Sequence, residues 1–352
     1  MAKAKKLTKG QQRRIKANHD KKLQGKNAKN KDKVIWNDDD LAAPEHGVII
    51  SRFGQHADVE NEHGEIFRCN LRRSIGSLVC GDKVLWRLGK ETQHSITGII
   101  EAVHERDSVL SRPDVYDGVK PIAANISQIL IVSSVLPVFN SDIIDRYLVA
   151  AEQTGITPVI VLNKTDLLTS ISSDEQEKIA QQLKIYQDIG YQVLYASSKS
   201  RDGISELKTQ LSQHTSIFVG QSGVGKSTLV NALMPDLGLL TQEVSENSGL
   251  GQHTTTVARL YHFDEGGDLI DSPGIREFGL WHLTPEQVCH GFVEFSDFLG
   301  LCKFRDCKHQ TDPGCALIAA GKNEQINPAR LASFQRILAS LNDNKLTSRF
   351  NN

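Results

Sequence analysis

The sequence predicts three folded parts in series: a small all-β barrel, a central α/β domain with a mainly parallel sheet, and a short helical C-terminal domain built around a metal. Three observations predict this order. Short β-rich runs separated by turn residues fill 45–105, apolar strands alternating with amphipathic helices follow from about 122, and a tight Cys/His cluster comes after them. The expected boundaries are a disordered basic tail and linker at 1–39, the barrel at 40–108, the α/β domain at 109–280 and the helical metal-binding domain at 281–352. A chain of 352 residues suffices for two or three domains of roughly 100 to 200 residues. Its 39% hydrophobic and 24% charged content is that of ordinary folded protein and excludes fibrous or wholly disordered classes. No apolar run reaches the roughly eighteen residues of a membrane span, and MAKAKKLTKG lacks the apolar stretch of a secretory signal. A cytoplasmic location with no membrane partner is expected.

The net charge of -1 conceals an asymmetry. Residues 1–33 hold 13 Lys or Arg against two Asp, a net of +11, while the remainder holds 28 basic and 40 acidic residues, a net of -12. The basic segment has few large apolar residues and cannot bury enough surface to offset the entropy of ordering. It is expected to be disordered when free. Segregated positive charge on an otherwise acidic chain favours a polyphosphate partner, nucleic acid first, over a merely solubilising extension.

After the acidic link at Asn37, Asp38, Asp39 and Asp40, the runs GVIISRF, HADVEN, EIFRCNL, DKVLWRL and TGIIEAV give about five short strands. Their spacing suggests an OB-like barrel. Such barrels bind oligonucleotides, and Arg52, Arg68, Arg72 and Arg73 with Phe53 and Phe67 are candidates for that contact. The pattern equally allows the two phenylalanines to be core and the arginines a solvated face.

In the α/β region SQILIVSSVL, TPVIVLN, YQVLYAS and TSIFVG read as strands, with helices over 141–154, 173–189 and 203–213. GQSGVGKS follows the last strand and precedes the helical run TLVNALM, the setting a phosphate-binding P-loop requires. Its members are Gly220, Gln221, Ser222, Gly223, Val224, Gly225, Lys226 and Ser227. The glycines let successive backbone N–H groups curl around phosphate oxygens at a helix N-terminus. Lys226 adds positive charge, Ser227 offers a hydroxyl to the magnesium that accompanies the phosphates, and Thr228 is expected to open the helix.

NKTD, residues Asn163, Lys164, Thr165 and Asp166, ends the strand TPVIVL. Guanine presents a ring N–H beside an exocyclic amine, which the Asp166 carboxylate can accept together, whereas adenine has no such adjacent donor pair. Asn163 can tie neighbouring loops, the Lys164 stem can pack on the base, and Ser197, Ser198 and Lys199 end the next strand where a further base contact belongs. GTP and GDP are therefore the expected ligands. Thr254, Thr255 and Thr256 supply a magnesium-ligating threonine, which one being open. In DSPG, Asp271 can hold the magnesium shell and the Gly274 N–H can sense the terminal phosphate. Ile275 follows, unable to orient an attacking water, so His253 beside the threonines is the internal candidate for the catalytic role. An ordinary exposed loop histidine is the alternative reading of His253.

Base-reading loops at 163 and 197 precede the phosphate loop at 220, the threonines at 254 and DSPG at 271. Most small GTPases run the other way. Loops at the carboxyl ends of strands can keep their places in space while the chain is cut and rejoined elsewhere, so the order indicates circular permutation. GQSGVGKS, NKTD, GQHTTT and DSPGIREF in this order, the preceding barrel and the following Cys/His cluster closely resemble the bacterial ribosome small-subunit-dependent GTPase A family over roughly 40–345. The resemblance implies a cytoplasmic GTPase that binds the small ribosomal subunit and its rRNA late in maturation and is stimulated by it. The expected alternative is an rRNA-binding assembly factor whose nucleotide site only toggles affinity. A monomer is expected.

CKFRDCKHQTDPGC supplies Cys302, Cys307, His309 and Cys315, a closed four-ligand set suited to one structural zinc. The spacing departs from a simple CxxC pair, leaving a reduced cysteine-rich loop or disulfides as the alternative, and the family resemblance favours the metal. Disulfides are not expected of Cys69, Cys80 and Cys289 in a reducing compartment. The short link from Gly274 to about Trp281 predicts that motion of the phosphate-sensing loop reaches the C-terminal domain.

Overall fold

The computed structural model describes residues 38–72, 74–93, 96–114, 118–235, 258–271 and 283–350. The basic tail at 1–37, including the first residue of the acidic link, lies outside them.

Five strands, β1 (Leu41–Phe53), β2 (His56–Asn61), β3 (Ile66–Leu71), β4 (Lys83–Gln93) and β5 (Ile96–Val103), form the barrel. The long β1 shifts register between Leu41 and Pro44 and again between Ile49 and Ser51, so its first part pairs with β4 and its second with β2. Antiparallel β2–β3 and β4–β5 and parallel β3–β5 pairings complete the closure, which removes exposed sheet edges. Alternate residues point inward, and Ile49, Ala57, Val59, Cys69, Val84, Trp86 and Ile100 form the core. Gly47 is required there, because a Cβ would lie 2.6 Å from Val59 Cγ1 and 3.0 Å from Trp86 Nε1.

A two-stranded hairpin, β6 (Val109–Asp114) and β7 (Gly118–Ala124), comes next and was not anticipated from the sequence. The central sheet follows with β8 (Gln128–Ser134), β9 (Thr157–Asn163), β10 (Gln192–Tyr195), β11 (Thr215–Val219), β12 (Arg259–His262) and β13 (Asp268–Asp271). Its order is β10-β9-β8-β11-β13-β12, parallel except for β12. Helices α1 (Ser141–Thr154), α2 (Ser173–Ile189), α3 (Ile204–Leu211) and α4 (Lys226–Leu233) cover both faces. Strand alternation explains how: Ile129, Ile131, Ile160 and Leu162 face α1 and α2, while Leu130, Val132, Val159 and Val161 face α3 and α4. The first two helices have the bounds expected from the sequence. Each has a side-chain N-cap, from Asn140 and Ser172, and a left-handed glycine C-cap, Gly155 and Gly190.

The barrel is fused to this sheet. Ser51 of β1 pairs with Arg259 of β12, and Ile50 and Cys80 share a core with Leu260 and Ile270. His262 bridges the two parts, with Nδ1 and Nε2 each 2.7 Å from carboxylate oxygens of Asp268 and Glu60. The hydrogen bond to Asp268 and the nearby Glu60 charge raise its pKa to about 9, so the imidazole is protonated between the two carboxylates at neutral pH.

The C-terminal part contains α5 (Pro285–His290), a 3₁₀ turn at Val293–Phe298, α6 (Ala316–Lys322) and α7 (Pro328–Phe350). Its last helix runs beyond the 328–341 read from the sequence. Phe292, Phe295 and Phe334 pack ring on ring at 5.0 to 5.5 Å, and Val149 and Ala150 of α1 enter the same core. Among the described residues no helix is long and apolar enough to cross a membrane.

Candidate functional site

The phosphate loop leaves β11 at Gly220. Gly220, Gly223 and Gly225 have φ of 140°, 82° and 91°, a conformation that L side chains rarely adopt. Space imposes the same choice at two of them: a Cβ on Gly220 would lie 2.1 Å from the Val132 carbonyl oxygen, and one on Gly225 would lie 2.6 Å from Asn163 Nδ2. Gly225 is the left-handed N-cap of α4, so the helix opens at Lys226. This corrects the expectation that Thr228 opens it: glycine at 225 starts the helix earlier, and Thr228 lies exposed in the first turn. Lys226 Nζ donates to the carbonyl oxygens of Gly220 and Gln221, both at 2.7 Å, so the ammonium lies across the loop. Gln221, Ser222, Gly223 and Ser227 are exposed, and Val224 is buried against α4.

The loops that carry NKTD and SSK meet this loop. Asn163, fully buried at the end of β9, donates from Nδ2 to the Val224 carbonyl oxygen at 2.9 Å. Lys164 takes the left-handed conformation at φ 59°, and its Nζ bonds Gly223 O at 2.6 Å and Leu136 O at 2.7 Å. Thr165 Oγ1 donates to Ala196 O at 3.2 Å, joining the loops after β9 and β10. The buried Ser197 hydroxyl donates to Asp166 Oδ1 at 2.6 Å and accepts from the Lys199 and Ser200 N–H groups at 3.3 and 3.1 Å. One serine thus orients the carboxylate and shapes the turn, while Ser198 is half-buried and Lys199 exposed. Asp271 stands exposed at the end of β13, next to β11 in the sheet. His253, Thr254, Thr255, Thr256 and Gly274 lie outside the described residues.

These loops collect at the carboxyl ends of parallel strands, where β8 and β11 neighbour one another although they lie far apart along the chain. That is the switch point at which open α/β sheets bind ligands.

A second cluster joins Cys302, Cys307, His309 and Cys315, whose ligand atoms all lie within 4.8 Å of one another. His309 Nδ1 is 3.5 Å from both Cys302 Sγ and Cys315 Sγ, and these sulfurs are 4.0 Å apart. The Ala316 N–H donates to Cys302 Sγ at 3.3 Å, a bond that stabilises thiolate. Left-handed backbone at His309 and Gly314 turns this short loop back on itself so that its four donors converge. Four soft or borderline donors in this arrangement can hold a metal ion with no position left for substrate.

The barrel candidates separate. Phe67 packs on Trp86 at 4.9 Å between ring centroids, whereas Phe53 is exposed beneath the Arg68 guanidinium at 5.3 Å. Arg68 also binds Asp58 at 2.9 and 3.2 Å, Arg72 binds Glu101 at 2.6 Å, and Arg52 bonds the Leu78 carbonyl oxygen at 2.6 Å. Arg73 lies outside the described residues.

The family model described as RsgA GTPase matches residues 103–281. A curated relative from Dickeya dadantii (strain 3937), named small ribosomal subunit biogenesis GTPase RsgA, is 58% identical over 339 residues, 96% of this chain and 95% of that protein. The chain belongs to the RsgA GTPase family. A Haemophilus influenzae (strain 86-028NP) relative of the same name is 55% identical over 345 residues, covering 98% of each chain. Among solved structures, YjeQ from Thermotoga maritima superposes with a TM-score of 0.68 at 32% identity, covering 85% of this chain and 99% of that one. YloQ, described as a circularly permuted GTPase, gives 0.67 at 26% identity, covering 88% and 99%. Membership makes the chain a GTPase, and the rotated motif order is that of a circularly permuted one.

Sequence reasoning missed the segment after β8. Leu136 O anchors Lys164, and Pro137 Cδ would lie 3.8 Å from a Cβ on Gly223, so this segment touches both the NKTD and the GQSGVGKS loops. Its residues carry no motif; only adjacency of β8 to β11, a property of topology, places them there.

Proposed function

We propose that the chain binds GTP in the Gly220–Ser227 cradle, hydrolyses it on the small ribosomal subunit, and serves late maturation of that subunit through contacts with its rRNA. The observation that carries this reading is the Asn163–Val224 hydrogen bond at 2.9 Å. It joins a guanine-reading sequence to a phosphate loop that lies 61 residues later, so the two act on one nucleotide. Asp166 reads the base with Asn163, Lys164, Thr165, Ser197, Ser198 and Lys199 around it. The residues from Gly220 to Thr228 hold the phosphates, with Ser227, Asp271 and one of Thr254, Thr255 and Thr256 serving the magnesium, and Gly274 facing the terminal phosphate. Zinc is the metal of the Cys302, Cys307, His309 and Cys315 set: bonds of about 2.0 to 2.3 Å in a tetrahedron separate thiolate and imidazole donors by spacings like the 3.5 Å found here. A cytoplasmic monomer is part of this reading. The barrel, with Phe53 and Arg68 exposed, and the basic tail supply rRNA contacts, where each neutralised phosphate makes binding more salt-sensitive.

The reading is tested by GTP turnover with and without purified small subunits. Turnover is expected to rise at least about tenfold with the subunit, because Ile275 cannot orient water and a partner surface completes the site. Equal rates would leave the alternative, a nucleotide-toggled rRNA-binding factor.

His253 is proposed to position the attacking water when its loop closes on the subunit. His253→Ala should leave GTP binding and subunit association near normal and lower subunit-stimulated turnover by about a hundredfold, a typical loss for a general base or positioning group. Stimulated turnover at the wild-type rate would assign the water to the ribosome or to another residue of the chain.

A further inference from the structure

Helix α1 has two faces, and each is committed to a different partner. On the inner face Tyr147 is 7% exposed and packs in one core with Val219, the residue just before the phosphate loop, with the Gly220 backbone N–H acting on its hydroxyl. Just before it, Asn140, Ile143 and Ile144 close a narrow crevice against Gln221 and Val224. On the outer face Asp142 accepts two bonds from Arg336, at 3.0 and 2.6 Å. Asp145 pairs with Arg330 and accepts from Tyr186 at 2.7 Å, and Arg330 reaches on to Glu294 at 2.6 and 3.2 Å. Arg146 donates to Ser340 at 2.8 Å, and Gly291 packs so closely that a Cβ would lie 2.7 Å from Val149 Cγ1.

Helical periodicity sorts these contacts: 143, 144 and 147 share one stripe, and 142, 145, 146 and 149 the other. The Arg330 and Asp145 side chains are each 2% exposed, so parting them would leave unpaired charge in a dry interior. Packed interiors rearrange between discrete states and do not deform continuously. A displacement of the C-terminal unit therefore cannot leave α1, and the loop bonded to it, where they were.

We propose that α1 is the positioning element of the phosphate loop, with Tyr147 as its contact residue, and that docking of the C-terminal metal unit on the outer face of α1 sets nucleotide affinity. This rests on the reading of Gly220–Ser227 as the phosphate cradle. It adds a path through α1 to the one expected through the link after DSPG.

The test uses full-length protein, with GTP and GDP affinities measured by calorimetry and fold checked by metal content and melting temperature. Tyr147→Phe keeps the ring and removes the acceptor oxygen. It should weaken GTP and GDP alike by about fivefold, the effect of one hydrogen bond, and raise KM with little change in kcat. Tyr191→Phe is the control, removing a buried hydroxyl bonded at 3.1 Å to Glu152 near the far end of the same helix. It should leave both affinities unchanged. Arg336→Ala, at an exposed position remote from the nucleotide, should weaken both by about twofold, and its combination with Tyr147→Phe should fall short of the product of the two effects. Wild-type affinity in Tyr147→Phe, or an equal loss in Tyr191→Phe, overturns the role of Tyr147. Unchanged affinity in Arg336→Ala overturns the link to the metal unit. Undiminished GTP binding in Lys226→Ala would sink the phosphate-cradle reading instead, so the two failures are distinguishable.

Discussion

Asp166→Asn is expected to turn the site from GTP toward xanthosine triphosphate. Guanine gives the carboxylate two adjacent N–H donors; xanthine keeps the ring N–H but replaces the amine with a 2-oxo group, to which an amide can donate. The substituted side chain has a defined place to stand, because Ser197 Oγ lies 2.6 Å from the Asp166 carboxylate and can bond an amide oxygen as well. Asn163 and Lys164 hold the rest of the loop on Val224 and Gly223. Loss of hydrogen bonds to a charged acceptor costs about 1.5 to 3 kcal/mol against GTP. The amide recovers part of that amount with xanthosine triphosphate, so the preference ratio should swing by about a thousandfold. Competition binding with the two nucleotides reads the swing directly. Unchanged affinity for GTP would remove Asp166 from the base pocket.

The meeting of the loops at 163 and 220 was legible in the sequence because each is carried by a local motif whose setting can be read from the pattern. NKTD and GQSGVGKS each lie at the end of an apolar strand, and their rotated order indicates the permutation. The barrel was legible for a similar reason: turn residues mark the strand ends, and all five expected runs overlap observed strands. The β6–β7 hairpin was not, since its short β-rich runs lack the apolar alternation of a half-buried strand and Pro113 and Pro121 interrupt them. Sequence likewise could not separate Phe53 from Phe67. Both are aromatic and sit in strand patterns, but register alone puts Phe67 against Trp86 and leaves Phe53 outside under Arg68. Nor did any motif announce that Asp142 and Asp145 would receive Arg336 and Arg330, partners roughly half the chain away. Long-range pairings of this kind follow from tertiary packing and leave no local signature.

Cys307→Ser is expected to abolish metal binding and loosen the C-terminal part of the chain. The serine oxygen is a poor substitute for a thiolate, and with it the closed four-donor set of Cys302, Cys307, His309 and Cys315 drops to three. Structural zinc contributes on the order of 10 kcal/mol to the folding of a small domain, more than most domains have in reserve. Here the metal has help: Phe292, Phe295 and Phe334 form an aromatic core, and Arg330 fastens α7 to Asp145. The expected result is therefore local. Metal content should fall from one per chain to none, the segment from 301 to 316 should become open to protease, and the barrel and central sheet should melt as in the parent, since neither draws on the cluster for its core. Metal analysis after dialysis, limited proteolysis and calorimetric melting supply the three readings. Full metal occupancy in Cys307→Ser would contradict the ligand assignment, and a single cooperative loss of the whole chain would show that the fold depends on the metal throughout.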